Sequence, residues 1–338
     1  MVQPDYPGEP FDARELLARI ISHVRARVRG DEGGVLESIL APLLLAFVQW
    51  LTDGTPFRGV LIAPTGSGKT HIARTLAEAS GVPAVILSVT DMAESSWTGP
   101  QIGDALARLL AEPLPPADSA GWIRVPTDPV AARGLLVLDE IDKIALVSGT
   151  GARHTRESAS WRSGRQESLL PALDPLGVVT TTVSRGSGPL RIRTSGLAVL
   201  ALGAFPMLAH DATPCPRDLV ALGFLSELVD RMGALYRLPP LGATTQAHML
   251  HARLDHLRGF ANSLGVPAAL DAVDARVAEL DPSRFAGPRG WLAAAEHAAR
   301  QMIADALIAQ VGSGSHDALQ NGSASKPPST TTQEAYDA

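Results

Sequence analysis

The chain has 338 residues, a length that suits two compact domains with loops rather than one small domain. Apolar residues make up 45% of it, which excludes wholesale disorder, and a net charge of −6 excludes a strongly basic nucleic-acid coat while leaving room for a local basic patch. The single cysteine, Cys215, excludes an internal disulfide and a Cys-ligated zinc site, and fits a reducing compartment.

Met1 to Asp12 carry acids and prolines but no apolar core, so no secretory leader is expected and the cytoplasm is the expected location. Leu16, Leu17, Ile20, Ile21, Val24 and Val28 recur at helical spacing and predict a helix over 11–29, with Asp12 and Glu15 placed as a capping box. A turn at Gly30–Gly34 leads into the most apolar run, Val35 to Leu51. Glu37, Ser38, Pro42 and Gln49 interrupt that run, and it is short for a membrane span, so it reads as a buried helix.

Short apolar runs then alternate with helical patterns. Val60–Ile62, Val85–Val89, Leu135–Leu138 and Leu197–Leu202 read as strands, apolar enough to be covered on both faces. That alternation predicts an α/β fold, a doubly wound parallel sheet. Leu238-Pro-Pro-Leu-Gly242 marks the expected domain boundary, because paired prolines stop helices and central strands. The large α/β domain is thus expected over 1–239. A small helical domain follows over 240–311, with helices near 243–263, 268–280 and 288–310. Residues 312–338 are rich in Gly, Ser, Thr and Pro and read as a disordered tail.

Two motifs carry chemistry. Ala63-Pro64-Thr65-Gly66-Ser67-Gly68-Lys69-Thr70 follows a strand and opens a helical pattern, the context a phosphate-binding loop requires. Its glycines let backbone N–H groups turn around a phosphate at a helix N-terminus. Lys69 is expected to reach the β- and γ-phosphates of ATP, and the Thr70 hydroxyl to bind Mg²⁺. Ala63 stands at the first motif position, where Gly is usual. Downstream, Leu135-Leu-Val-Leu-Asp139-Glu140-Ile-Asp142 closes an apolar strand with carboxylates, which is costly unless they meet a cation or a substrate. Asp139 is placed to hold Mg²⁺ through its waters and Glu140 to polarise the attacking water.

Together the Pro-Thr-Gly-Ser-Gly-Lys-Thr loop and Asp139-Glu-Ile-Asp-Lys143 resemble the ClpX/HslU group of AAA+ protein unfoldases. Further resemblances follow in the family's order. Gly30-Asp-Glu32 resembles the segment bordering the adenine, and Gln166–Leu173 the helix after the second pore loop. Gly203-Ala-Phe205 resembles the segment after the fourth strand. Gly223–Arg231 is similar to the helix bearing the arginine finger, and Gly287-Pro-Arg-Gly290 to the sensor-2 motif. The resemblance implies ATP hydrolysis with Mg²⁺ in a hexameric ring acting on polypeptide, with Glu140, Arg231 and Arg289 in catalytic roles.

Some of these residues have a plainer reading. A cation at the first turn of a helix is unfavourable, so Arg289 calls for an anion nearby, ATP phosphate or a surface carboxylate. Arg231 ends a helix, where the dipole already favours a cation, so it is either a finger or a dipole partner. Glu94–Gly99 is similar to the first pore loop, with Trp97 as the gripping aromatic or as a ring packed under a loop. Ser148–Arg165 occupies the second pore-loop region; Arg153, His154, Arg156, Arg162 and Arg165 around Trp161 suit a nucleic-acid strand or a solvated loop. His248 and His251 read as exposed rather than as metal ligands.

The chain departs from that family in several places. One cysteine cannot build its zinc module, no Ile-Gly-Phe tripeptide offers peptidase docking, and no large insertion is evident. No Asn, Ser or Thr closes the fourth strand at Leu202-Gly-Ala. Docking to a ClpP-type peptidase is therefore not expected. The expected function is ATP-dependent protein remodelling; the alternative is an AAA+ motor or loader on nucleic acid.

Overall fold

Alternate residues of the central strands face two separate apolar cores. The computed structural model describes residues 12–27, 35–92, 101–146, 156–208, 213–241, 243–270, 276 and 288–321. Strands β1 (Arg58–Ile62), β3 (Val130–Asp139) and β5 (Pro189–Gly203) lie side by side in parallel. Leu61, Leu135, Val137, Ala198 and Leu200 face one core, and Val60, Leu136, Leu138, Val199 and Ala201 face the other. A strand with apolar residues on both faces needs cover on both. Helices α1 (Ala13–Arg27), α2 (Val35–Asp53) and α3 (Lys69–Ser80) cover the first face through Leu16, Ile20, Phe47, Ile72 and Leu76. Helices α4 (Ile102–Ala107), α5 (Arg156–Leu173), α6 (Pro216–Ala221) and α7 (Ser226–Met232) cover the second through Leu106, Leu169, Leu219 and Leu228. The sheet is doubly wound, as the alternation predicts.

Strands β2 (Ala84–Ser88) and β6 (Ala234–Arg237) complete the parallel order β2–β3–β5–β1–β6. The chain leaves β1 for β2 at one edge, returns through β3 and β5, and then crosses β1 to β6. Strand order therefore reverses at β1, where open α/β sheets bind ligands outside their carboxyl ends. Strand β4 (Val178–Thr182) pairs antiparallel with the first half of β5. Neither β4 nor β6 is anticipated by the sequence. The first is half polar, and the second is four residues long with Arg237 at its end.

Helix α2 is the apolar run read as buried. Leu40, Leu43, Phe47 and Leu51 are in the core, and no described helix is long and apolar enough to cross a membrane. The region 148–165 differs from the loop read there, because α5 begins at Arg156 and takes in Trp161, Arg162 and Arg165. This stretch has no apolar periodicity to announce a helix. Its order comes from buried polar contacts that only the folded chain supplies, described below. Arg153 and His154 lie outside the described residues.

The chain divides into two units, Met1–His248 and Met249–Ala338. The division falls inside helix α8 (Ala243–Ser263), downstream of the boundary expected at Leu238–Gly242. In the second unit Leu250, Leu254, Leu257 and Ala261 of α8 form a core with Leu292, Ala295 and Ala299 of α9 (Pro288–Asn321). A 3₁₀ turn, Pro267–Leu270, opens the stretch expected as a helix over 268–280. Helix α9 continues past Gly312, where the tail was expected to begin; 322–338 lie outside the described residues.

Candidate active site at the carboxyl end of strand β1

The loop 63–68 leaves β1 at the switch point and turns into α3. Gly66 and Gly68 both sit at φ 84°, a left-handed conformation that side-chain-bearing residues rarely adopt. A Cβ built on Gly68 would meet nothing within 4 Å, so its backbone faces open space at the start of α3. The Ser67 hydroxyl donates to Pro64 O at 2.7 Å, pinning the turn. Lys69 Nζ donates to Ala63 O at 2.7 Å and Pro64 O at 3.1 Å, folding over its own loop. This is a cation beside exposed backbone at a helix N-terminus, the donor set a phosphate requires.

The acidic motif meets this loop. Strand β3 ends at Asp139, whose Oδ2 accepts the Thr70 hydroxyl at 2.8 Å. Parallel β2 and β3 put Ser88 beside Asp139, which brings the turn after β2 into the site. Glu140 stands at φ 60°, an uncommon left-handed conformation for a residue other than glycine, and its side chain is exposed. Thr90 Oγ1 donates to Glu140 Oε2 at 3.0 Å. Because that uses the only proton of Thr90, the 2.7 Å contact between Ser88 Oγ and Thr90 Oγ1 has Ser88 as donor. Asp142 is turned elsewhere: its Oδ1 accepts the Ala204 N–H at 3.1 Å, tying the end of β3 to the end of β5.

No group of three or more His, Cys, Asp and Glu side chains able to hold a metal occurs among the described residues. A Thr hydroxyl paired with one carboxylate nonetheless fits Mg²⁺, which takes one or two protein oxygens, water and substrate phosphates rather than an all-protein cage. Thr70 and Asp139 are the residues that would hold it.

Arg231 lies elsewhere. It ends α7, and Ala234, just beyond, pairs with Gly59 at the start of β1. The phosphate loop leaves the carboxyl end of β1, so Arg231 sits at the opposite, amino end of the strands from its own chain's loop. There Arg231 Nη1 donates to Glu227 O at 3.1 Å, and Nε lies 3.8 Å from Asp174 Oδ2. Nearby Arg58 donates to Phe57 O, Leu173 O and Leu197 O. Burial pushes its guanidinium down to about 10, opposed by the charge of Asp174.

Trp97 and the adenine-border segment Gly30–Glu32 lie outside the described residues. Arg289 occupies the first turn of α9, but its side chain is also outside them. His248 and His251 are exposed. The sequence reading missed Thr90. The one available signal was a pair of hydroxyl residues, Ser88 and Thr90, at the carboxyl end of a parallel strand.

Residues 60–184 match the family described as "ATPase family associated with various cellular activities (AAA)". That segment spans the loop, Asp139, Glu140 and Thr90. The segment 60–184 thus matches an AAA ATPase domain. Over 283 residues the chain is 26% identical to "ATP-dependent Clp protease ATP-binding subunit ClpX 3" of Methylococcus capsulatus, covering 72% of this chain and 62% of that protein. It is 27% identical over 215 residues to the ClpX subunits of Bacteroides fragilis and Bacteroides thetaiotaomicron, covering 54% of this chain and 48% of theirs. The chain thus spans about half to three-fifths of the length of these curated relatives. The ClpX-like character of its AAA domain, read from the two motifs, is supported by these matches.

Proposed function

We propose that this protein hydrolyses ATP and uses the energy to remodel proteins as a ring. The observation that carries the reading is the Thr70–Asp139 hydrogen bond, which joins the phosphate-loop helix to the acidic strand 69 residues downstream. The Gly66–Thr70 backbone and Lys69 would bind the β- and γ-phosphates. Bound Mg²⁺ supplies charge neutralisation of the phosphates. Glu140 would accept a proton from the water that attacks the γ-phosphorus, and Thr90 holds one of its oxygens. Arg231 would act on the nucleotide of a neighbouring subunit, and its place at the opposite end of the strands from its own loop supports that division of labour. Arg289 is assigned to the phosphates of its own chain, and Trp97 to gripping substrate, on resemblance.

Kinship with ATP-binding subunits of a Clp protease supports a polypeptide substrate, a hexameric ring and a cytoplasmic setting. The missing tripeptide argues against a ClpP-type partner. A nucleic-acid motor is the second reading. It is favoured by Arg191 and Arg193, which alternate with buried residues and are exposed on one face of β5.

The test is ATP turnover measured alone, with an unfolded protein and with single-stranded DNA, alongside ATP binding by Lys69→Ala. Stimulation by unfolded protein is expected. Stimulation by DNA alone would favour the second reading, and unchanged ATP affinity in Lys69→Ala would overturn the site.

A further inference from the structure

Two adjacent residues of α5, Arg165 and Gln166, are buried polar side chains amid an apolar core. Arg165 is 6% exposed. Its Nη1 donates to the carbonyls of Val89 and Thr90, both at 2.7 Å. Its guanidinium lies over the Trp161 ring, with Cζ 3.6 Å from the centroid. Burying a guanidinium is costly unless its N–H groups find acceptors, and stacking on an indole adds to the compensation. The planar guanidinium suits this double role, because a compact ammonium has no flat face to lay over the indole.

Those two carbonyls belong to the turn that follows β2. The same Thr90 whose backbone Arg165 grips donates its hydroxyl to Glu140. Its acceptor lone pair is taken by Ser88. The chain of contacts therefore runs from Trp161 through Arg165 to the Thr90 backbone, and from the Thr90 side chain to the carboxylate. Every link is a hydrogen bond of 3.0 Å or less, or the ring stack.

We infer that Arg165 is a positioning residue for Glu140, holding the Val89–Thr90 turn so that Thr90 fixes one carboxylate oxygen and leaves the other to act on water. The inference rests on the proposed ATP hydrolysis. It also gives the helical stretch 161–165 a role that a solvated loop could not have. A shift of Trp161 or of the start of α5 would reach the catalytic carboxylate through a single guanidinium.

The experiment compares Arg165→Met, Arg165→Lys, Thr90→Val, Thr90→Ser and the double variant Arg165→Met/Thr90→Val. The readouts are kcat, ATP affinity and melting temperature. Arg165→Met and Thr90→Val should each lower kcat about tenfold, the scale of one charge-assisted hydrogen bond, with ATP affinity changed by no more than about twofold. The double variant should be no slower than the slower single one, because both changes break the same chain. Thr90→Ser keeps the hydroxyl and should keep most of the rate, and Arg165→Lys should fall between wild type and Arg165→Met. If Arg165→Met does not fold, the Arg165→Lys result and the contrast between Thr90→Val and Thr90→Ser decide. Unchanged kcat in a folded Arg165 variant, or losses that multiply fully in the double variant, overturns the inference alone. Absence of ATP turnover in the wild type overturns the proposed function with it.

Discussion

Thr70 Oγ1 donates a 2.8 Å hydrogen bond to Asp139 Oδ2, so the first turn of α3 and the last residue of β3 share one polar contact at the mouth of the phosphate loop. Thr70 and Asp139 are the residues that would hold Mg²⁺ there, and the ion would neutralise charge on the nucleotide's phosphates. Thr70→Val should therefore weaken ATP binding about tenfold in Mg²⁺ and leave binding in EDTA nearly unchanged, since only the metal-dependent part is removed. Titration of a labelled nucleotide in both buffers checks this. Equal losses in both would mean that Thr70 serves the loop's shape instead.

Glu140→Gln keeps the side chain's size and its bond from Thr90 but removes the basic oxygen. Turnover should fall by about 10²–10⁴ while ATP binding persists. Single-turnover hydrolysis with bound nucleotide measured in parallel separates chemistry from binding. Near-normal turnover would move the base elsewhere.

Arg231 stands at the amino end of the strands, away from its own phosphate loop at their carboxyl end, held by Glu227 and Asp174. If it acts in trans, ATP turnover per chain should rise with protein concentration, and Arg231→Ala should lower turnover by about 10³-fold or more with ATP affinity largely intact. Mixing Arg231→Ala with Glu140→Gln chains should restore part of the activity, because one interface can then combine an intact carboxylate with an intact guanidinium. Turnover independent of concentration, with no loss in Arg231→Ala, would leave the arginine as a helix-end cation only.

Gln166 is fully buried. Its amide donates to Ile144 O at 2.8 Å and Gly223 O at 3.1 Å, and its Oε1 accepts the Leu225 N–H at 2.7 Å. One side chain thereby ties the segment after the acidic motif to the turn that starts α7. Gln166→Leu fills a similar space but strands three backbone groups, each costing roughly 1–3 kcal/mol. The midpoint of urea unfolding should fall clearly. A midpoint within error of wild type would mean that water or relaxation takes over those bonds.

What the sequence by itself determined is everything that rests on consecutive residues. The phosphate loop Ala63–Thr70, the acidic strand ending Leu135–Asp139 and the core strands of a doubly wound sheet depend on local conformation and on two-faced burial, which neighbouring residues encode directly. The tertiary structure alone decided which distant side chains meet. Thr90 touches Glu140 because β2 and β3 pair in a particular register, and Arg165 reaches Thr90 because α5 packs over the turn after β2. Arg165 and Gln166 read as loop and helix-start residues since the stretch before them, 148–165, is mostly polar and has no apolar periodicity. Their hydrogen bonds go to carbonyls and an N–H group 22 to 76 positions away. The position of Arg231 at the amino end of the strands likewise follows from β6 pairing with β1, and β6 is too short and too mixed in composition for sequence periodicity to reveal.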